Sequence, residues 1–129
     1  MSRLRARLRA ESAPGDRRWT WSQITTLVRI ADEGPVTVSA LATVEHVRPQ
    51  SMAETVAALR SEGLVDGKPD PTDGRKTLIS VTSGGRKLVS RTAAIREEWL
   101  EAALEKLTTA TERRTLLKAA KLMDRLADF

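Results

Sequence analysis

Four polar residues, Gln50, Ser51, Glu54 and Thr55, follow the pair Arg48-Pro49 on the side of a helical run opposite Met52, Val56 and Leu59. A glutamine amide can both donate to and accept from one adenine edge, and a carboxylate can accept from the N4 amine of cytosine. Polar groups at the N-terminal end of a helix are the means by which a helix reads base edges in a major groove. The partial positive charge of that helix end also favours a phosphate near Arg48 and Pro49. The same residues fit an ordinary solvated face, so their context has to decide between the two. A second group is Arg75 and Lys76, which directly follow Asp73-Gly74 in a turn-rich stretch. Cations at such a tip can enter a minor groove. Asp73 either orients Arg75 or braces the turn. Arg86 and Lys87 suit flanking phosphates or plain solvent exposure.

Other chemistry is poorly supplied. The chain has no cysteine and no tyrosine, and His46 is its only histidine. Disulfides, thiolate metal sites, cysteine nucleophiles and thiol-based redox sensing are thereby excluded, and so are multi-histidine metal sites. No nucleophile–base pair converges and no glycine loop cradles a phosphate, so an enzyme is not expected, nor a cofactor or a metal. His46 reads as a surface or capping histidine rather than a ligand or pH sensor.

The chain has 129 residues, 40% hydrophobic and 30% charged, which suits one folded domain. No apolar run approaches the ~18 residues of a membrane helix. The Arg-rich start lacks an apolar segment. It reads as a short solvated helix with Leu4 and Leu8 on one face, the alternative being a transit peptide. A cytoplasmic location is expected. The net charge of +5 suggests a polyanionic partner. Its distribution weakens that inference, because residues 1–18 carry +4, residues 19–47 carry −2, residues 48–83 carry zero and residues 84–129 carry +3.

The elements that must position these groups follow from the punctuation. Residues 2–12 form a short helix ended by Ser12-Ala13-Pro14-Gly15. Thr20 and Gln23 form a capping box, followed by Ile24, Leu27, Val28 and Ala31 at helical spacing up to Gly34-Pro35. Thr37 caps a third helix that turns Leu41, Ala42 and either Val44 or Val47 inward. Arg48-Pro49 begins a fourth, with proline at the first helical position, which Gly63 stops. A strand from Leu64-Val65, a polar tip at residues 69–74 and a β-branched strand Thr77–Thr82 make a hairpin. A long helix runs from Ser83 to about Leu107, carrying Leu88, Thr92, Ile95, Trp99 and Ala103. Thr109 and Glu112 cap a last helix with Leu116, Leu117, Ala120, Met123 and Leu126. The fold class is therefore mainly α with a small β-hairpin, a winged helix-turn-helix at 19–83 flanked by terminal helices at 1–18 and 84–129.

Leu100, Leu104 and Leu107 form a second apolar stripe on the long helix. Two stripes need two partners, its own domain and another chain, and Leu4, Leu8, Leu116, Met123 and Leu126 add surface for the second. A purely intrachain core is the alternative. A helix of about two dozen residues spans roughly 36 Å, and two copies on a palindrome would place half-sites about one turn (~34 Å) apart.

Residues 19–90 resemble the MarR family of bacterial transcription regulators. The likeness is carried by Val36-Thr-Val-Ser-Ala-Leu-Ala42, Val47-Arg-Pro-Gln-Ser-Met52, Leu59-Arg-Ser-Glu-Gly-Leu-Val65 and Asp70-Pro-Thr-Asp-Gly-Arg-Lys-Thr-Leu-Ile-Ser-Val-Thr82. The last is similar to the family's wing signature. The resemblance implies a sequence-specific regulator of double-stranded DNA, most often a repressor, that dimerises through its terminal helices and inserts a wing arginine, here Arg75, into a minor groove. It also implies a possible small aromatic or phenolic effector between those helices and the winged domain. Trp19, Trp21 and Trp99 are the residues most suited to that pocket, unless they are core anchors. Three positions depart from the family. Thr72 and Glu54 stand where arginines are usual, and Ala40 stands where glutamate is usual. The first two remove positive charge and also fit a winged-helix protein-interaction module with weak or lost DNA binding.

Overall fold

A computed structural model describes residues 2–11 and 18–129. The expected break at Ser12–Gly15 lies outside the described residues. Helix α1 (Ser2–Glu11) precedes α2 (Trp21–Glu33), α3 (Val38–Val44) and α4 (Pro49–Ser61). An antiparallel hairpin of β1 (Val65–Pro69) and β2 (Thr77–Val81) follows, then α5 (Ser83–Leu107) and α6 (Ala110–Ala127).

The ends of these helices are set by local chemistry. Thr20 Oγ1 accepts from the Gln23 amide at 3.2 Å while Gln23 Oε1 accepts from the Thr20 amide at 2.8 Å. Thr109 and Glu112 repeat the arrangement at α6. Helix α4 starts at Arg48 with Pro49 inside its first turn. It ends in a Schellman motif, in which the Leu64 amide reaches the Leu59 carbonyl, the Gly63 amide reaches the Arg60 carbonyl and Gly63 takes φ 71°.

Ile24, Leu27 and Ile30 of α2, Leu41 and Ala42 of α3, and Met52, Val56 and Leu59 of α4 make one core with Val65, Ile79 and Leu88. Thr26 is buried in the same stripe, its hydroxyl 3.9 Å from the Met52 sulfur. Neither Val44 nor Val47 turns inward, contrary to expectation, and they are 47% and 41% exposed. The short α3 is filled by Leu41 and Ala42, and the chain turns away before a third inward position arises.

The wing is tied to the helices at two places. Val36, before α3, exchanges both backbone hydrogen bonds with Ile79 at 3.0 and 2.7 Å, so a third extended segment joins the hairpin. At the other end, Thr82 caps α5 by accepting from the Gly85 amide, and its hydroxyl donates to the Gly63 carbonyl at 2.6 Å. Gly85 passes so close to the residue before β1 that an added Cβ would lie 2.1 Å from the Leu64 carbonyl oxygen.

Burial fades along α5. Leu88 and Thr92 are buried, Trp99, Ala103 and Leu104 are half-buried, and Ile95, Leu100 and Leu107 are exposed. Helix α6 buries no residue.

Candidate nucleic-acid interface

Helix α4 is oriented by its apolar stripe. With Met52, Val56 and Leu59 fully packed, Gln50, Ser51 and Glu54 must face solvent, and each is exposed. Thr55 lies at the margin, half-buried, and its hydroxyl donates to the Ser51 carbonyl at 3.1 Å. It can therefore offer a partner only its lone pairs. Arg48 is exposed and spends no side-chain hydrogen bond on the helix end. The N-terminal amides of α4, with Pro49 removing one, stay free of a side-chain cap.

The turn that presents α4 is held by His46. This residue takes φ 53° as the left-handed residue after α3. The Val47 amide reaches the Ala42 carbonyl at 3.0 Å and the His46 amide reaches the Thr43 carbonyl at 3.2 Å, a second Schellman motif. His46 thus serves the backbone, as a capping histidine does, with its side chain exposed. A histidine accepts left-handed geometry more readily than β-branched residues do.

Sequence reasoning missed the clamp behind this turn. Arg29 of α2 donates from Nε to Glu45, the residue that ends α3, and its Nη1 lies 2.6 Å from Glu33. The pair with Glu45 chiefly raises the Arg29 guanidinium above its ordinary pKa. One cation therefore fixes the end of the first helix of the motif to α2. Its partners are sixteen and four residues away in sequence. The nearer spacing is visible as an i,i+4 pair, but the farther one depends on how α2 packs.

The wing tip is braced before any partner arrives. Asp70 Oδ1 accepts from the amide and the hydroxyl of Thr72, both at 2.8 Å, and from the Asp73 amide at 3.4 Å. These bonds, the Thr72 amide first, hold the Asp70 carboxyl below its usual pKa. Asp73 accepts from the Arg75 amide at 3.2 Å and from Arg75 Nε at 3.1 Å, so it braces the turn and orients the arginine together. Arg75 remains 91% exposed in its side chain. Thr72 acquires a structural role at this tip. Arg75, Lys76 and Thr77 line a shallow groove of about 300 Å³ with Thr37, Val38 and Ser39 at the start of α3. Those three residues were also missed. The β-branched run Val36–Val38 was the available signal, but its pairing with Ile79 is long-range.

The tryptophans are distributed rather than gathered. Trp19 packs against the core cluster. Trp21 lies under the Arg9 guanidinium at 5.2 Å and Trp99 under that of Arg7 at 5.9 Å. A groove of about 310 Å³ is lined by Leu4, Arg5, Leu8, Trp21 and Arg96, and neither Trp19 nor Trp99 is in its wall. Among the described residues there is no group of acidic, histidine or cysteine side chains that could hold a metal, and no helix is long and apolar enough to cross a membrane.

A helix-turn-helix with a bare polar α4 start, followed by a hairpin tipped with Arg75 and Lys76, has the architecture of a winged helix. Comparison with known proteins agrees. The family model of the MarR family matches residues 19–77. An HTH-type transcriptional regulator of Mycobacterium bovis is 44% identical over 107 residues, covering 83% of this chain and 74% of the relative. The chain belongs to the MarR family. The crystal structure of RV1404 from Mycobacterium tuberculosis superposes with a TM-score of 0.89 at 30% identity, over 98% of this chain and 86% of that one. The HTH-type transcriptional repressor IacR of Pseudomonas putida is 26% identical over 83 residues, 64% of this chain and 50% of the relative. This MarR-family member is thus a DNA-binding transcriptional regulator and not an enzyme.

Proposed function

We propose that this MarR-family regulator is a repressor that binds a palindromic operator as a homodimer, reading bases with α4 and gripping the flanking minor groove with the wing. The observation that carries this reading is the exposed start of α4, where the side chains of Arg48, Gln50, Ser51 and Glu54 make no intrachain hydrogen bond or ion pair among the described residues. Pro49 and Thr55 complete that face, and Asp73, Arg75 and Lys76 supply the wing contact. A carboxylate-braced arginine at a loop tip suits insertion into a narrow groove.

Dimerisation through residues 1–18 and 84–129 is supported by apolar surface that the chain does not cover. Leu4, Leu100, Leu107, Leu116, Met123 and Leu126 are all exposed, with half-buried Leu8 and Leu104 beside them. An apolar surface of this extent on a small domain marks an interface. The repressor sense is supported by similarity to the transcriptional repressor IacR of Pseudomonas putida. Release by a small aromatic effector is supported by the groove beside Trp21, whose apolar wall is flanked by Arg5 and Arg96.

Footprinting combined with sedimentation tests the reading. A dimer protecting two inverted half-sites about one helical turn (~34 Å) apart is expected. A monomer in solution and on DNA contradicts the homodimer. If no genomic fragment is protected, the chain is instead a winged-helix interaction module. Titration with benzoate, as a simple aromatic acid, is expected to quench Trp21 and weaken the footprint. No change in either removes the effector.

A further inference from the structure

We propose that Glu54 determines the base specificity of α4, selecting cytosine chiefly by rejecting the other three bases. The inference rests on the DNA-binding reading above and deepens it. Glu54 is exposed and its side chain makes no hydrogen bond or ion pair among the described residues. It follows Gln50 by four positions, so the two side chains stand one above the other on the helix. Buried Met52, Val56 and Leu59 define the opposite face, and α4 cannot rotate Glu54 away without exposing them.

A carboxylate is an acceptor only. In the major groove guanine shows two acceptors, thymine shows an acceptor and a methyl group, and adenine shows its amine beside the N7 acceptor. Cytosine alone shows a donor with no acceptor on the same base. A carboxylate pressed against guanine or thymine is left desolvated and unpaired, and against adenine it pairs with the amine but crowds the neighbouring N7 acceptor, so each of the three penalises the complex. No ion pair neutralises its side chain among the described residues, and the first two turns of α4 carry no lysine or arginine, Arg48 standing at the N-cap. Glu54 therefore weakens attraction to phosphates in general while sharpening the choice of base. Gln50, nearer the helix start, suits adenine. Four residues rise about 6 Å along a helix against about 3.4 Å per base pair, so the adenine and the cytosine are separated by roughly one to two base steps.

The test is selection of binding sites from a library of random-sequence duplexes by the full chain and by its Glu54→Ala and Glu54→Gln variants, with affinities then measured on selected and random duplexes. The wild-type sites are expected to hold a cytosine at a fixed distance from an adenine, and changing that C·G pair to T·A is expected to weaken binding roughly 5- to 150-fold. Glu54→Ala is expected to bind random duplex several-fold more tightly and to discriminate at that position less than about threefold. Glu54→Gln is expected to move the preference there from cytosine to adenine. Retention of the cytosine preference by Glu54→Ala overturns the inference, as does equal weakening on every duplex, the result a purely structural residue would give. If wild type selects no sequence at all, the DNA-reading role falls and this inference with it. A selected site indifferent to Glu54 overturns the inference alone.

Discussion

The winged core and the terminal helices obey opposite rules. From α2 to the start of α5, one buried apolar core forms, threonines cap the starts of α2, α3 and α5, and residues 48–83 carry no net charge. From the middle of α5 onward, leucines stand in solvent, α6 buries nothing, and residues 84–129 carry +3. The first region is complete within one chain, whereas the second leaves an apolar surface that the proposed dimer would cover. Net positive charge thus lies where the fold is unfinished, while the cations of α4 and the wing are balanced by carboxylates. On the proposed reading, affinity for DNA comes from a few placed groups rather than from a general basic surface.

The largest effect that can break this contrast is expected in the core. Leu59→Ala removes a fully buried side chain at the meeting of α4, β1 and α2 and should cost 2–5 kcal/mol, on the order seen for buried leucines. Urea unfolding checks it, and a cost below about 1 kcal/mol would mean the core is not where stability resides. At the other pole, Leu116→Ala with Leu126→Ala should leave helical content unchanged while weakening self-association at least about tenfold, since each side chain is half-exposed or more. Sedimentation over a concentration series measures it. A large loss of helix content instead would place these leucines in an intrachain core.

Between these extremes lies the clamp. Arg29→Ala leaves Glu45 and Glu33 without their cation and should destabilise the fold by about 1 kcal/mol, because the group is partly exposed. It should also lower specific DNA affinity more than random-duplex affinity, because it loosens the turn that aims α4. The smallest effect concerns the wing. The Asp70 carboxyl has a depressed pKa, so its bonds to Thr72 support the tip above the ordinary carboxylate range and are lost as pH falls through the lowered folded value. Thr72→Val should move the Asp70 titration upward in a carboxyl NMR experiment without unfolding the protein. An unmoved titration would mean the tip is not braced there.

Much of this division is written locally. The capping boxes at Thr20 and Thr109, the Arg48-Pro49 start and the Gly63 stop are each satisfied by neighbours within a few residues, and each appears as read. The polar start of α4 and the turn-rich wing are local for the same reason. The features that sequence did not disclose are made by distant partners: the Val36–Ile79 bridge, the Arg29–Glu45 pair and the place of Ser39 beside Arg75. Val44 and Val47 are instructive, since apolar type suggested burial and the shortness of α3 decided against it. The tryptophans show the same limit, because rarity marked them while packing sent Trp19 to the core and Trp21 to a groove.

On the proposed reading, recognition of DNA by a neutral α4 and wing rests on placed contacts. It is tested most directly by a mobility shift with DNA from upstream of the protein's own gene, against random duplex, over a series of salt concentrations. The expected result is at least about a thousandfold preference for the specific fragment. Its log affinity should fall linearly with log salt, and Arg75→Ala should flatten that slope by about one. Equal binding of specific and random DNA, or a slope untouched by Arg75→Ala, would contradict it.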